Sequence, residues 1–235
     1  MAFPFFYIDD FNGATDVVLD EDNSRHAISV LRMTEGEQMH LTDGKGYLLT
    51  GSIADAHKKK CRVAITDIQQ VPAVSRKTAV GISLVKNPVR FEWFLEKATE
   101  MGISEIFPLL CERTEKQHFR QDRMQHVMVS ALLQSRQAWL PILHEPIKFD
   151  RVIDEAVYQQ KFIAHCLENE KQSFAKSIDE TTASAMILIG PEGDFSPAEI
   201  SRAFSHNFIP VALGNTRLRT ETAGMVAAAL LKNID

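Results

Sequence analysis

Cysteine is scarce in this sequence: three among 235 residues, Cys61, Cys111 and Cys166, odd in number and far apart. That distribution argues against a disulfide framework. With no CxxC pair and no HxH or HxxxH among the eight histidines, it offers no metal site either. Each cysteine is expected to serve as a small buried hydrophobe. Long apolar runs are also missing, none approaching the roughly 18 residues of a membrane span. The opening MAFPFFYIDD has no basic segment ahead of its apolar residues, so no membrane association and a cytoplasmic location are expected. Two phosphate-binding signatures are absent. No GxGxG or GxGxxG follows an early strand and no GxxxxGK[ST] loop occurs, which disfavours a Rossmann-type methyltransferase and a nucleotide hydrolase. There is no excess of positive charge: 26 basic against 31 acidic residues leave a net charge of −5. Only residues 71–150 carry more basic than acidic side chains, so an RNA-binding face would have to be a local patch. It would draw on residues such as Lys58, Lys59, Lys60, Arg62, Arg113, Lys116, Arg120 and Arg123.

What is present suggests two domains. Residues 1–72 read as β-rich: a glycine turn at Gly44 to Gly46, a strand around Tyr47 to Ile53 and an alternating strand from Cys61 to Ile68, with a short helix over Ser24 to Leu31 before them. A small β-barrel is the natural expectation. The segment QQVPAVSRK has linker composition, and from residue 73 strands and helices alternate to residue 235. In PVRFEWFLEKATEMG the apolar Phe91, Phe94, Leu95 and Ala98 recur at helical spacing, with Gly102 as a stop. A strand EIFPLL, a helix from Arg120 to Ala138, a helix near Val152 to Tyr158 and strands KFIAHCL, MILI and FIPVAL follow, before an alanine-rich last helix. Repeated βα units predict a parallel sheet with helices on both faces, an α/β class.

Three of these strands end in loops rich in chemistry. In ILIGPEGDFSPAEI, Gly190 and Gly193 permit positive φ or close backbone approach and Pro191 stiffens the turn between them. Ser196, Pro197 and Glu199 then read as a capping box that starts a helix. In VALGNTRLRTETAG, Gly214 permits a turn, Arg217 and Arg219 are fixed cations, and Thr220, Glu221 and Thr222 stand at the mouth of the last helix. A plain structural reading pairs Arg219 with Glu221. Ligands bind outside the carboxyl ends of strands in open α/β sheets, so these loops and the one after IAHC are expected to form a site.

IGPEGDFS followed by LGNTRLRTETA resembles the signature of the RsmE-type family of small-subunit ribosomal RNA uridine-N3 methyltransferases, in the SPOUT class. FEWFLEKATEMGISEIFPLLCERT, LLQSRQAWLPIL and RHAISVLRMTEGEQMHLTDGKG are similar to further segments of that family, and the likeness runs nearly end to end. The resemblance implies a PUA-like N-terminal barrel over 1–72 that binds RNA, and a SPOUT methyltransferase domain over 73–235 with a C-terminal trefoil knot. It implies S-adenosyl-L-methionine as cofactor, held by His165 and Leu167, by Ile189 with Gly190, Pro191, Glu192 and Gly193, and by Leu213, Gly214, Leu218, Arg219, Thr220 and Thr222. The catalytic candidates it carries over are Arg219, Arg136 and Glu221, and the RNA-binding candidates are Arg25, Arg32, Lys58, Lys59, Lys60 and Arg113. The implied activity is uridine-N3 methylation in 16S ribosomal RNA near the decoding region, by a homodimer acting on the RNA or the small subunit. A SPOUT enzyme for another RNA position and a non-catalytic RNA-binding assembly protein on the same fold stay open. This chain departs from the family pattern in having Asp194 where glycine is usual, Asn215 and Thr216 where proline and arginine are usual, and no glycine after the serine of QSRQ.

Overall fold

The computed structural model of the chain describes residues 3–167 and 171–232. It divides into two compact units, one of Met1–Ala73 with Leu132–Leu140, the other of Val74–Ala131 with Pro141–Asp235.

The first unit is built on five strands: β1 (Phe5–Tyr7), β2 (Asp16–Val18), β3 (Gln38–Thr42), β4 (Tyr47–Asp55) and β5 (Arg62–Gln70). Their order is β1-β3-β4-β5-β2, antiparallel except for the parallel β1 and β3. Alternation along the strands turns Phe6, Met39, Leu41, Leu49, Ile53 and Val63 into one core. The helix expected from Ser24 begins earlier, as α1 (Glu21–Arg25), because the Asp20 carboxylate accepts from the Asn23 N–H at 2.7 Å and caps it. It continues as a π-helical turn over His26–Val30 and ends where Arg32 adopts φ +58°.

Residues 132–140 close onto this same unit. The Gly46 N–H donates to the Ala138 carbonyl, the Leu140 N–H to that of Gly44, and the Trp139 indole to that of Val71 at 3.1 Å. Gly46 has φ +108°, and a Cβ there would sit 2.5 Å from the Trp139 ring. A side chain at 46 would displace the indole.

The second unit is a sheet of β6 (Lys77–Ser83), β7 (Glu105–Leu110), β8 (Ile142–Leu143), β9 (Ile147–Lys148), β10 (Gln160–Ala164), β11 (Gln172–Ser173), β12 (Ser184–Ile189) and β13 (Ile209–Ala212). The order is β11-β13-β10-β12-β6-β7-β8, with β9 also on β7, and every pairing is parallel. The helices are α2 (Pro88–Glu100), α3 (Gln121–Ser135), α4 (Phe149–Glu155), α5 (Phe174–Ser177), α6 (Pro197–Ser205) and α7 (Thr220–Lys232). Successive strand residues point to opposite faces. Ala79, Met186 and Leu188 join Phe149, Val152, Ile200 and Ala203 of α4 and α6 in one core, whereas Ile82 meets Gly224 of α7 on the other face. Helices therefore cover both faces, which explains why the strands read as continuous apolar runs.

Two expected helix ends move. The helix placed over Arg120 to Ala138 stops at Ser135 because Arg136 takes φ +54°. The one placed over Val152 to Tyr158 spans Phe149–Glu155, and the Tyr158 hydroxyl instead donates to the buried Glu105 carboxylate at 2.8 Å.

Candidate active site

The carboxyl ends of β10, β12 and β13 lie side by side, since β10 runs between the other two. Their register is level: Ala164 faces Ile189 on one side and Val211 on the other. The three loops that follow converge on a cleft of ≈ 760 Å³, a volume typical of small-molecule sites.

His165, Ile189, Gly190, Pro191 and Glu192 line it from the first two loops. Leu213, Gly214, Leu218, Arg219 and Thr220 line it from the third. Leu167, Gly193 and Thr222 are not among the lining residues, whereas Cys166, Lys171, Asp194 and Arg217 are. Cys166 is also exposed, unlike buried Cys61 and Cys111, so it departs from the expected role of a buried hydrophobe.

The Gly190 to Asp194 loop is held by neighbours on every side. Gly190 is needed for close approach, since a Cβ there would lie 3.1 Å from the Phe195 backbone nitrogen and ring. Its carbonyl accepts from the Thr220 hydroxyl at 3.0 Å, which ties the start of α7 to the end of β12. The Lys86 N–H donates to the Glu192 carboxylate at 3.0 Å, and the Arg113 guanidinium to the Gly193 carbonyl at 2.8 Å. Arg113, an RNA-binding candidate by sequence, is thus committed to this loop. The positive φ expected at a glycine falls on Asp194, at +64°, and aspartate tolerates that region better than most residues. After Asp194 the chain enters α6 through the expected capping box, with Ser196 and Glu199 bonded reciprocally.

His165 is 7% exposed, and neither ring nitrogen has a hydrogen-bond partner among the described residues. Burial pushes its pKa below the ordinary histidine value, the Lys171 cation lowers it further, and Asp194 opposes them. The ring is therefore neutral near pH 7, with one N–H donor and one lone pair available. An unfolded histidine takes up its proton near pH 6.5, the folded one only at lower pH. As pH falls below about 6.5 the unfolded state binds the proton first and stability declines. The stability lost between pH 7 and pH 5 in urea titrations is expected to be smaller in His165→Asn than in the parent; equal losses would refute this assignment.

Of the catalytic candidates, Arg219 is exposed on the cleft and has no carboxylate partner among the described residues. Glu221 is buried, does not line the cleft and pairs with Arg90 at 3.6 Å instead of with Arg219. Arg136 follows α3 in the left-handed conformation and packs with the first unit. The RNA-binding candidates of the first unit cluster in part: Arg25 and Lys59 both pair with Glu21, at 3.1 and 3.3 Å, while Lys58, Lys60 and Arg32 are exposed.

The parallel sheet carries its cleft over three adjacent strand ends, and the chain also contains a small β unit. Residues 73–232 match the family model of an RNA methyltransferase domain, and residues 19–66 that of an RNA methyltransferase PUA domain. Within that class the chain belongs to the ribosomal RNA small subunit methyltransferase E family. A member from Mycobacterium tuberculosis is 32% identical over 97% of this chain and 90% of its own length. The crystal structure of a probable rRNA methyltransferase from Porphyromonas gingivalis superposes with a TM-score of 0.90 at 31% identity, covering 98% of each chain. That of a ribosomal RNA small subunit methyltransferase E from Neisseria gonorrhoeae bound to S-adenosyl methionine has a TM-score of 0.87 at 26% identity, covering 99% of this chain and 98% of that one.

Proposed function

We propose that this chain is an S-adenosylmethionine-dependent methyltransferase for N3 of a uridine in 16S ribosomal RNA, near the decoding region. The observation that carries the reading is the cleft over β10, β12 and β13, lined by His165 and by Arg219, which has no carboxylate partner among the described residues.

The residues present suit the cofactor. Ala164, Ile189, Val211 and Leu218 offer apolar walls for an adenine ring. Arg217 complements a carboxylate, while Glu192 complements an ammonium or sulfonium. When bound, S-adenosylmethionine supplies an electrophilic methyl group. The protein's part is to make uridine N3 a nucleophile. The imide N–H is a weak acid, and the charge left by its proton spreads over O2 and O4. A guanidinium stays charged and presents a planar fork of donors to such an anion, which is the role of Arg219 in this reading. Glu221, paired with Arg90 and not among the residues lining the cleft, is assigned to holding the start of α7, and the N3 proton passes to solvent water.

The reading includes a PUA-like RNA-binding domain over 1–72, a SPOUT domain over 73–235, a homodimer and a cytoplasmic location. It also includes the trefoil knot. In support, the last strand, β13, lies between β10 and β11, both of which precede it in the chain. Among the described residues no helix is long and apolar enough to cross a membrane.

RNA contact is assigned to the first unit. Replacing Lys58, Lys59 and Lys60 together with alanine is expected to weaken RNA binding and flatten its salt dependence by up to about three counterions, with S-adenosylmethionine affinity unchanged. An unchanged salt slope in filter-binding titrations would remove the patch from the interface. The function itself is tested by methyl transfer from labelled S-adenosylmethionine to unmodified small subunits and to naked ribosomal RNA, with the product nucleoside identified by mass spectrometry. 3-Methyluridine is the expected product. A different methylated nucleoside would redirect the reading to another RNA position, and cofactor binding without transfer to either substrate would redirect it to another RNA.

A further inference from the structure

One peptide unit beside the cleft is held at both ends by charged side chains. The Lys171 ammonium donates to the His165 carbonyl at 2.7 Å, and the Cys166 N–H donates to the Asp194 carboxylate at 2.9 Å. That carbonyl and that N–H belong to the same peptide bond. The cation sits on the negative end of the peptide dipole and the anion on the positive end, so both contacts are charge-assisted and each is roughly twice as strong as a neutral hydrogen bond. Both side chains, with His165 and Cys166, line the cleft.

The clamp spans two loops. Asp194 reaches Cys166 only because its own backbone sits at φ +64° at the end of the turn closed by its N–H on the Pro191 carbonyl at 2.9 Å. Glycine would take that backbone conformation more easily but has no carboxylate to offer. The aspartate at this position is thus accounted for by what its side chain does. Fixing the 165–166 peptide plane restricts the backbone that carries the His165 ring, whose two buried nitrogens have no partner among the described residues.

We infer that Asp194 and Lys171 are positioning residues, a paired clamp on the His165–Cys166 peptide that pre-orients this stretch of the cleft wall for the methyl donor. The inference rests on the cofactor reading above, and its test separates the two. Calorimetric titration of S-adenosylmethionine into the full chain is compared for the parent, Asp194→Gly, Asp194→Asn and Lys171→Met, each with its thermal midpoint. Asp194→Gly is expected to fold with an undiminished midpoint, because glycine relieves the positive φ, yet to bind about tenfold more weakly, as lost preorganisation from one hydrogen bond implies. Asp194→Asn keeps an acceptor oxygen and tolerates the same backbone, so its affinity is expected within about threefold of the parent. Lys171→Met is expected to weaken binding by a similar factor to Asp194→Gly. The double variant should lose less than the product of the singles, because both grip one peptide.

A second readout does not need the cofactor. In the ligand-free chain labelled with 15N-histidine, the His165 ring resonances should broaden or shift in Asp194→Gly and return in Asp194→Asn. An Asp194→Gly variant with parental affinity and unchanged ring resonances would overturn the clamp. If the parent binds no S-adenosylmethionine, the cofactor reading fails, and the ring resonances alone decide: unchanged signals overturn the clamp and altered ones uphold it as a positioning device for His165.

Discussion

Replacing Arg219 with alanine is expected to lower methyl transfer about 100-fold at saturating S-adenosylmethionine, the loss typical of removing one preorganised donor from a developing anion. Arg219 faces the cleft and has no carboxylate partner among the described residues, so its full charge is available to the uracil oxygens. The structural alternative for Arg219, a local pair with Glu221, is not formed, because that carboxylate is buried and pairs with Arg90. An Arg219 quenched by Glu221 would stabilise an anion poorly; an unpaired one pays no such penalty. Arg219→Lys keeps the charge and loses the planar fork, so its rate should fall between those of the parent and the alanine variant. Single-turnover rates at saturating cofactor check the prediction, and a loss below about threefold in Arg219→Ala would remove this residue from the mechanism.

Gly224→Val is expected to destabilise the protein by about 3 kcal/mol, from overpacking of a filled core. For a chain of this length that corresponds to a fall of roughly 6–12 °C in the thermal midpoint. Local propensity alone predicts the opposite sign for a small side chain: glycine within a helix is about 1 kcal/mol worse than alanine, and Gly224 lies inside α7. Tertiary packing overrides this. A Cβ at 224 would approach the Ile82 Cδ1 to 2.7 Å and the Phe94 ring to 2.8 Å. Both neighbours are fully buried and have nowhere to move. Valine adds two further methyl groups at the same point. A thermal midpoint within about 2 °C of the parent would show that α7 shifts away from the sheet at little cost.

The elements whose pattern is local were legible. The capping box at Ser196 and Glu199, the helix carrying Phe91, Phe94, Leu95 and Ala98, and the buried run ending at Ile189 are set by spacing and by residue type over a few positions. The two-residue strands β8, β9 and β11 are too short to show a period, and only their partners make them strands. The end of α3 was misplaced because arginine is a poor signal for a left-handed residue, and Arg136 nonetheless adopts one.

The candidate site divides along the same line. The glycine-rich loop after β12 and the Arg-Thr-Glu segment before α7 are contiguous, and their composition marks them as a ligand site whatever lies nearby. Which strands stand beside each other is not written in any one segment. β10 separates β12 from β13 because parallel strands pair through crossovers, and that pairing alone brings His165 to Gly190 and Leu213. The uses of Arg113, Lys171, Asp194 and Glu221 depend on contacts far apart in sequence, such as Arg113 with Gly193 and Glu221 with Arg90. A long charged side chain reaches whatever the packed backbone leaves within hydrogen-bonding distance, so its identity is fixed locally while its partner is chosen by the fold. The sequence by itself determined the α/β class, the capped start of α6 and the place of the site along the chain. The tertiary structure decided which charges stay free for chemistry and which are spent holding the loops.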